Sequence, residues 1–339
     1  MNTTPFSTLH STPTAASDHP ASDHPASDHP GADQPQVDAT QRIPASGGRA
    51  LVLGGGGSTG NAWLIGVIAG LFEAGLDVTG ADLIVGTSAG STAAAQITGA
   101  NPAELFADIL AAAPQPRTGP DGSGRGPGPV RPVMNQMERT GKIIAAAEDA
   151  ADMRRRMGAA ALELDAASDD SRQTQWRATV AARLPSQLWP QQRVLITAVD
   201  AHSGEPVAFD RDSGVDLADA VAASCSSGAT FGIGGSRYID GGYRSNADNA
   251  DLAAGYERVL VLSPFGGRSR TPEEWGMHLA TQVGELRAHG SQVETIFPDA
   301  DSEHMFGANA MNLSLRPAAA RAGYDQGRAL AKELTEFWR

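Results

Sequence analysis

A run of glycines directly after a short apolar segment constrains this chain more than any other feature: Ala50-Leu51-Val52-Leu53 leads into Gly54-Gly55-Gly56-Gly57-Ser58-Thr59-Gly60. Consecutive apolar residues bounded by glycine read as a buried strand. After the glycines, Leu64, Val67, Ile68, Leu71 and Phe72 recur at helical spacing, and Gly75 follows as a stop signal. The order is strand, glycine loop, helix. The unit then repeats: Leu83-Ile84-Val85 is a second buried-strand candidate, Gly86-Thr87-Ser88-Ala89-Gly90 a tight turn, and 91–98 a stretch of small, helix-compatible residues. Two such units in succession predict parallel pairing in an α/β sheet.

Strand signals return at 193–199, at 206–209 after the turn His202-Ser203-Gly204-Glu205, and at 258–262, while 272–288 and 317–338 read as helices. Between the two groups, 114–132 is dense in Gly and Pro and has no apolar period, so 113–133 is expected to be a mobile loop. Helices over 134–164 and 172–184 are expected to form an insertion, 134–185, between sheet strands. Residues 1–46 hold three copies of Ala-Ser-Asp-His-Pro, beginning at Ala16, Ala21 and Ala26. A proline every fifth residue opposes helix and sheet, and little apolar surface offsets the ordering entropy, so a disordered tail precedes one domain at 47–339. The repeated Asp-His pairs carry metal-ligand types, but a flexible array has nothing to fix their geometry, and no metal is assigned.

Composition removes several function classes. The 26 Lys plus Arg against 39 Asp plus Glu give a formal charge of −13, which argues against a nucleic-acid partner. The single cysteine, Cys225, excludes a disulfide framework and any cysteine-based zinc or iron–sulfur site. Lys142 and Lys332 are the only lysines, leaving Schiff-base chemistry and a Walker-type phosphate loop almost nowhere to reside. No apolar run reaches the roughly 18 residues of a membrane helix, and the first residues lack the basic start and apolar core of a leader. A cytoplasmic location is therefore expected; the oligomeric state is left open.

The glycine run matches Gly-x-Gly-x-x-Gly at Gly55, Gly57 and Gly60. Dinucleotide binding is one reading, because glycines let a backbone approach phosphates at a helix N-terminus, and a packing loop without ligand is another. The dinucleotide reading wants an acid at the end of the second strand, whereas Asp82 stands before Leu83-Ile84-Val85. The second turn is Gly-x-Ser-x-Gly at Gly86, Ser88 and Gly90. A serine on a sharp strand-to-helix turn exposes its Oγ beside the amides of the following helix, though a Gly-Ser turn can also be structural. Such a serine needs a base. His202 is a turn residue, and His278, His289 and His304 lie in polar or helical surroundings. Asp240, in Arg237-Tyr238-Ile239-Asp240-Gly241-Gly242, is the more suggestive base, with an Asp-Gly hairpin turn as the alternative.

Together, the glycine motif, the serine turn and the downstream Asp-Gly-Gly resemble the patatin-like phospholipase family, bacterial type. The likeness extends to 196–209, to the Ala-Ser-containing 220–231 and to Asn246, and covers about 50–262. It implies an α/β three-layer sandwich, with a mainly parallel central sheet and helices on both faces. It also implies a serine acyl-ester hydrolase acting on lipid esters (phospholipid, lysophospholipid or acylglycerol) without a cofactor, in transient contact with a membrane surface. Ser88 would attack the ester and Asp240 would take its proton. The amides of Gly55, Gly56 and Gly57 would hold the oxyanion, and Gly60, Gly86, Gly90, Gly241 and Gly242 would be the motif glycines. Two positions depart from the family pattern: Thr59 stands where a Lys or Arg is usual, and Gly228 where a proline is expected. The competing expectations are an α/β-hydrolase triad of Ser88, Asp240 and one of His278, His289 or His304, and a lipid- or nucleotide-binding protein without turnover.

Overall fold

The computed structural model describes residues 38–40, 48–112, 130–165 and 171–339. Both strand–turn–helix units form as their patterns require: β1 (Arg49–Leu53) leads into α1 (Gly57–Glu73), and β2 (Leu83–Gly86) into α2 (Ala89–Ile97). The chain continues through α3 (Pro102–Ala111), α4 (Val130–Ala146), α5 (Ala150–Asp165) and α6 (Ser171–Ala181) to the hairpin of β3 (Arg193–Asp200) and β4 (Pro206–Phe209). Next come α7 (Leu217–Ser224), β5 (Phe231–Ile233), β6 (Ser236–Asp240), β7 (Arg258–Leu262), α8 (Leu279–Ala288), β8 (Gln292–Ile296) and α9 (Arg316–Trp338). The eight strands make one mixed sheet whose hydrogen-bonded neighbours run β5-β6-β3-β2-β1-β7-β8, with β4 also on β3. β3, β2, β1, β7 and β8 are parallel, while β4 and β6 each pair antiparallel with β3.

The register on β3 places the site. Ile196 pairs with Phe209 of β4 and with Gly86 of β2; Ala198 pairs with Val207 of β4 and with Asp240 of β6. A strand residue has two edges, so β2 and β6 share the edge opposite β4. They approach along that edge from opposite directions. β2 ends against Ile196 and β6 against Ala198, with Thr197 between, so the residues just past Gly86 meet Asp240.

Alternation along the strands divides the core. Leu51, Leu53, Ile84, Val194, Ile196 and Ala198 face one side with residues of α1, α2, α7 and α9. Ala50, Val52, Leu83, Val85, Val259 and Val261 face the other with α8, where α5 also lies through Met153 and Met157 against Val199 and Ile239. This is the expected three-layer arrangement. Glycines set the spacing of α1 and α9: Gly66 and Gly70 lie against the Ala320 and Tyr324 carbonyls, and Gly323 and Gly327 against those of Trp63 and Val67.

Several boundaries differ from those read in the sequence. The expected helix over 134–164 is two helices, α4 starting already at Val130 and breaking before Ala150. The expected helix over 272–288 is shorter: Glu273–Trp275 is a single 3-10 turn, Gly276 takes φ 66, and only α8 is regular, because a left-handed residue ends the turn. β8 gave no signal, since its burial alternates over only five residues. Of the expected tail, residues 1–37 and 41–46 lie outside the described residues, as do 113–129 of the loop. Asp38–Thr40 is described and packed: Ala39 is buried, its amide donates to the Ala208 carbonyl (2.7 Å), and Asp38 Oδ1 accepts from the Ala208 amide (2.9 Å). A tail boundary at 46 is therefore too late.

Candidate active site

Ser88 is the N-cap of α2 and takes φ 52 and ψ −114, one of two non-glycine residues with positive φ among those described. A side chain disfavours that backbone, which persists only where its surroundings over-determine it. They do so here. The Ser88 amide donates to Ser224 Oγ (2.9 Å), and its carbonyl accepts from Ser91 Oγ (2.6 Å), the Ser91 amide (2.9 Å) and Cys225 Sγ (3.1 Å). Gly86 and Gly90 permit the turn: a Cβ on Gly86 would lie 2.7 Å from Ser91 Cα, and one on Gly90 would run into the Leu53 carbonyl.

Ser88 Oγ donates to Asp240 Oδ2 at 3.0 Å, and Asp240 Oδ1 accepts from the Gly242 amide at 2.8 Å. Asp240 is 7% exposed, and burial pushes its carboxyl up to about 6 against the pull of the Gly242 amide and the Ser88 hydroxyl. A serine hydroxyl therefore sits on a carboxylate that can accept its proton near neutral pH. Gly241 lets the two strand ends come together, because a Cβ there would collide with Thr197. Among the described histidines none bonds to either residue: His278 Nε2 lies 2.7 Å from the Thr271 carbonyl, His289 Nδ1 2.7 Å from that of Glu285, and His304 Nδ1 2.9 Å from that of Asp301.

A buried amide network that the sequence reading missed supports the pair. Asn249, fully buried at φ 56, donates from Nδ2 to Thr87 Oγ1 (2.9 Å) and to the Gly241 carbonyl (3.0 Å). Asn246, singled out in the sequence without a role, accepts from the Asp248 and Asn249 amides and donates to the Met277 carbonyl and Gln282 Oε1. An asparagine with both ends satisfied in a buried loop fixes that loop.

The glycine loop requires a correction. The Gly55 amide, expected to face an oxyanion, donates to the Ala247 carbonyl at 2.7 Å, and a Cβ on Gly55 would stand 3.6 Å from Ser88 Cβ. Gly55 thus gives Ser88 room and spends its N–H on the loop after Asp240. The Gly56 and Gly57 amides have no acceptor among the described residues, as expected of the N-terminal amides of α1. Gly57 takes φ 62, and Gly56 packs so closely on Pro264 that a Cβ would lie 2.5 Å from its Cβ. Thr59, in the position where the resemblance led to a basic residue, is buried and donates from Oγ1 to the Met305 carbonyl at 2.9 Å. A guanidinium arrives from elsewhere: Arg316 donates from Nη1 to the Ser58 carbonyl (2.7 Å) and from Nη2 to Asn61 Oδ1 (3.2 Å). Among the described residues it has no carboxylate partner, and burial, then nearby Arg183, holds it down to about 10.

Around the pair, Tyr243 Oη donates to the Ser227 carbonyl (3.1 Å), as does Gln136 Nε2 of α4. Arg270 fastens α4 from the other side, through the Met137 carbonyl (2.8 Å) and Thr140 Oγ1 (2.7 Å). A cleft of about 600 Å³ between α4 and α5 includes Arg139, Ile143, Arg156 and Leu164 in its lining, but neither Ser88 nor Asp240. No group of three His, Cys, Asp or Glu side chains is placed to hold a metal ion among the described residues, and none of the described helices is long and apolar enough to cross a membrane.

No curated protein matches the chain. Among solved structures it is similar to VipD from Legionella pneumophila, at 14% identity and a TM-score of 0.35, over 86% of this chain and 67% of that one. The family model for patatin-like phospholipases matches residues 51–253, which take in the glycine loop, the Ser88 turn and Asp240, and the chain belongs to that family.

Proposed function

We propose that the protein is a serine acyl hydrolase of lipid esters that works through Ser88 and Asp240 without a histidine. The observation that carries this reading is the 3.0 Å hydrogen bond from Ser88 Oγ to a buried carboxylate, with Ser88 held on a strained turn at the start of α2. Asp240 takes the serine proton as Oγ attacks the ester carbonyl, and the same carboxyl delivers that proton to the leaving alcohol. The acyl group then sits on Ser88. Asp240 next takes a proton from water, which attacks the acyl carbon, and returns it to Oγ as the carboxylic acid leaves. Each step passes one proton through one carboxyl. The Gly56 and Gly57 amides, helped by the positive end of α1, are the donors we assign to the oxyanion; such a donor is worth on the order of 100-fold or more in rate. Gly55 is removed from that set by its bond to Ala247.

A triad through His278, His289 or His304 finds no support, because the ring contacts of all three run to backbone carbonyls and both Asp240 oxygens are engaged by Ser88 and Gly242. The decisive experiment is labelling with a fluorophosphonate, combined with turnover of short-chain esters, lysophospholipids and phospholipids. Wild type should label and turn over at least one of these esters; Ser88→Ala should do neither, while the three His→Ala variants should do both. Wild-type turnover by Ser88→Ala would remove the proposed nucleophile, and a His variant that neither labels nor turns over would restore the triad. A binding protein without turnover would leave every ester intact.

A further inference from the structure

Ser88 and Asp240 lie on opposing strand ends, yet three consecutive residues at the end of α7 touch the backbone of both. Ser224 Oγ accepts from the Ser88 amide at 2.9 Å, Cys225 Sγ donates to the Ser88 carbonyl at 3.1 Å, and the Ser226 carbonyl accepts from the Asp240 amide at 2.9 Å. We propose that Ser224 is a positioning residue for the serine–aspartate pair: its hydroxyl holds the strained Ser88 backbone in place and, together with the Ser226 carbonyl on Asp240, sets the separation across which the serine proton moves. The proposal rests on the acyl-hydrolase reading above and adds a residue to it.

The two ends of Ser88 are not equally secured. Its carbonyl has four donors, the amides of Ser91 and Thr92, Ser91 Oγ and Cys225 Sγ, so the loss of one leaves three. Its amide has one acceptor among the described residues, Ser224 Oγ, and Ser224 is fully buried. Without that oxygen the amide is left unpaired away from water, and the Thr87–Ser88 peptide gains a reason to rotate. Rotation about that peptide relaxes φ of Ser88 and swings Oγ away from Asp240, whose own backbone remains tied to Ser226. A shift of about 1 Å at a reacting atom can cost on the order of 100-fold in rate. The Cys225 thiol, pushed up to about 11 by burial and by Asp240, keeps its proton and so can donate, but its contribution is redundant.

The test is steady-state hydrolysis of a soluble short-chain ester by the full chain, with Ser88→Ala as reference. Ser224→Ala should lower kcat about 10-fold or more with KM within about two-fold, since it disturbs the reacting pair and not the substrate-binding surface. The pH midpoint of kcat/KM should move above the wild-type value, because Asp240 keeps its burial and the Gly242 amide but loses the bond from Ser88 Oγ that pulls its carboxyl down. Ser224→Thr and Ser224→Val have nearly the same shape and differ in the hydroxyl, so Thr should exceed Val by about 10-fold even where both pack less well than serine. Cys225→Ala should stay within about three-fold of wild type, given the remaining donors on the Ser88 carbonyl. Wild-type kcat in Ser224→Ala, equal rates for Thr and Val, or an unmoved pH midpoint would each overturn the positioning role while an inactive Ser88→Ala still upheld the nucleophile. An active Ser88→Ala would instead sink the hydrolase reading beneath it.

Discussion

The Asn249 side chain donates to the Thr87 hydroxyl at 2.9 Å, one residue before Ser88, while the same nitrogen reaches the carbonyl of Gly241 at 3.0 Å, one residue after Asp240. One amide group therefore spans both arms of the proposed pair. Asn249→Ala should lose these bonds and force alanine to hold φ 56, costing on the order of 2 kcal/mol or more. A lowered thermal midpoint together with a reduced kcat is the expected result; an unchanged midpoint would mean that the network carries no stability.

The pH dependence of turnover follows from Asp240. Its carboxyl is raised to about 6 by burial, and only the ionised form accepts the serine proton, so kcat/KM should rise as pH increases through about 6 and level off above it. A rate profile from pH 4.5 to 8.5 on a neutral ester checks this. Asp240→Asn should lie near the Ser88→Ala baseline at every pH, and the double variant should be no worse, because members of a unit lose activity non-additively.

Gly55 and Gly56 should respond differently to the same change. A methyl on Gly55 meets the Ala247 carbonyl at 3.5 Å and Ser88 Cβ at 3.6 Å, ordinary contacts that leave the loop in place. On Gly56 it stands 2.5 Å from Pro264 Cβ and 2.8 Å from Gly60 Cα, so the loop has to move. Gly56→Ala should therefore lower kcat by at least about 10-fold more than Gly55→Ala, as measured with a soluble ester at saturation. The reverse order would return the oxyanion role to Gly55.

Asp248 offers a test by stability alone. It is 2% exposed, its Oδ1 has no hydrogen-bond partner, and burial raises its carboxyl to about 7 despite a bond from Ser263. Its folded pKa lies above the ordinary aspartate value of 3.8, so between about pH 4 and 7 the unfolded chain ionises while the folded one stays protonated, and stability falls as pH rises through that window. Asp248→Asn removes this dependence. Its midpoint by thermal unfolding should match wild type near pH 4 and exceed it near pH 8; a constant difference across that range would show that Asp248 does not titrate there.

Much of the fold was legible because short-range patterns carried it. The apolar run at Ala50-Leu51-Val52-Leu53, its glycine loop and the Leu64 to Phe72 periodicity lie within one stretch of chain, and β1 and α1 appear where that stretch places them. The turn around Ser88 was readable for the same reason. Less legible was what holds it: Ser224 and Asn249 act from distant segments through single side-chain bonds to backbone or hydroxyl groups, and such bonds leave no period in the sequence. Gly55 misled because sequence shows that an amide can be approached, not that Ala247 has already engaged it. The helix expected over 272–288 failed at Gly276, a single residue whose positive φ outweighed the apolar spacing around it.

The convergence of β2 and β6 on one edge of β3 also bears on how the molecule is made. The serine and the carboxylate come from positions 152 residues apart, and the two strand ends meet only once both β2 and β6 have paired along the same edge of β3. Pairings of such long reach are slow to form, since loop closure has to precede the contacts that reward it. On the dyad reading, a chain emerging from the ribosome therefore has its serine early and its base late, and gains the power to cut lipid only after the sheet has closed around it.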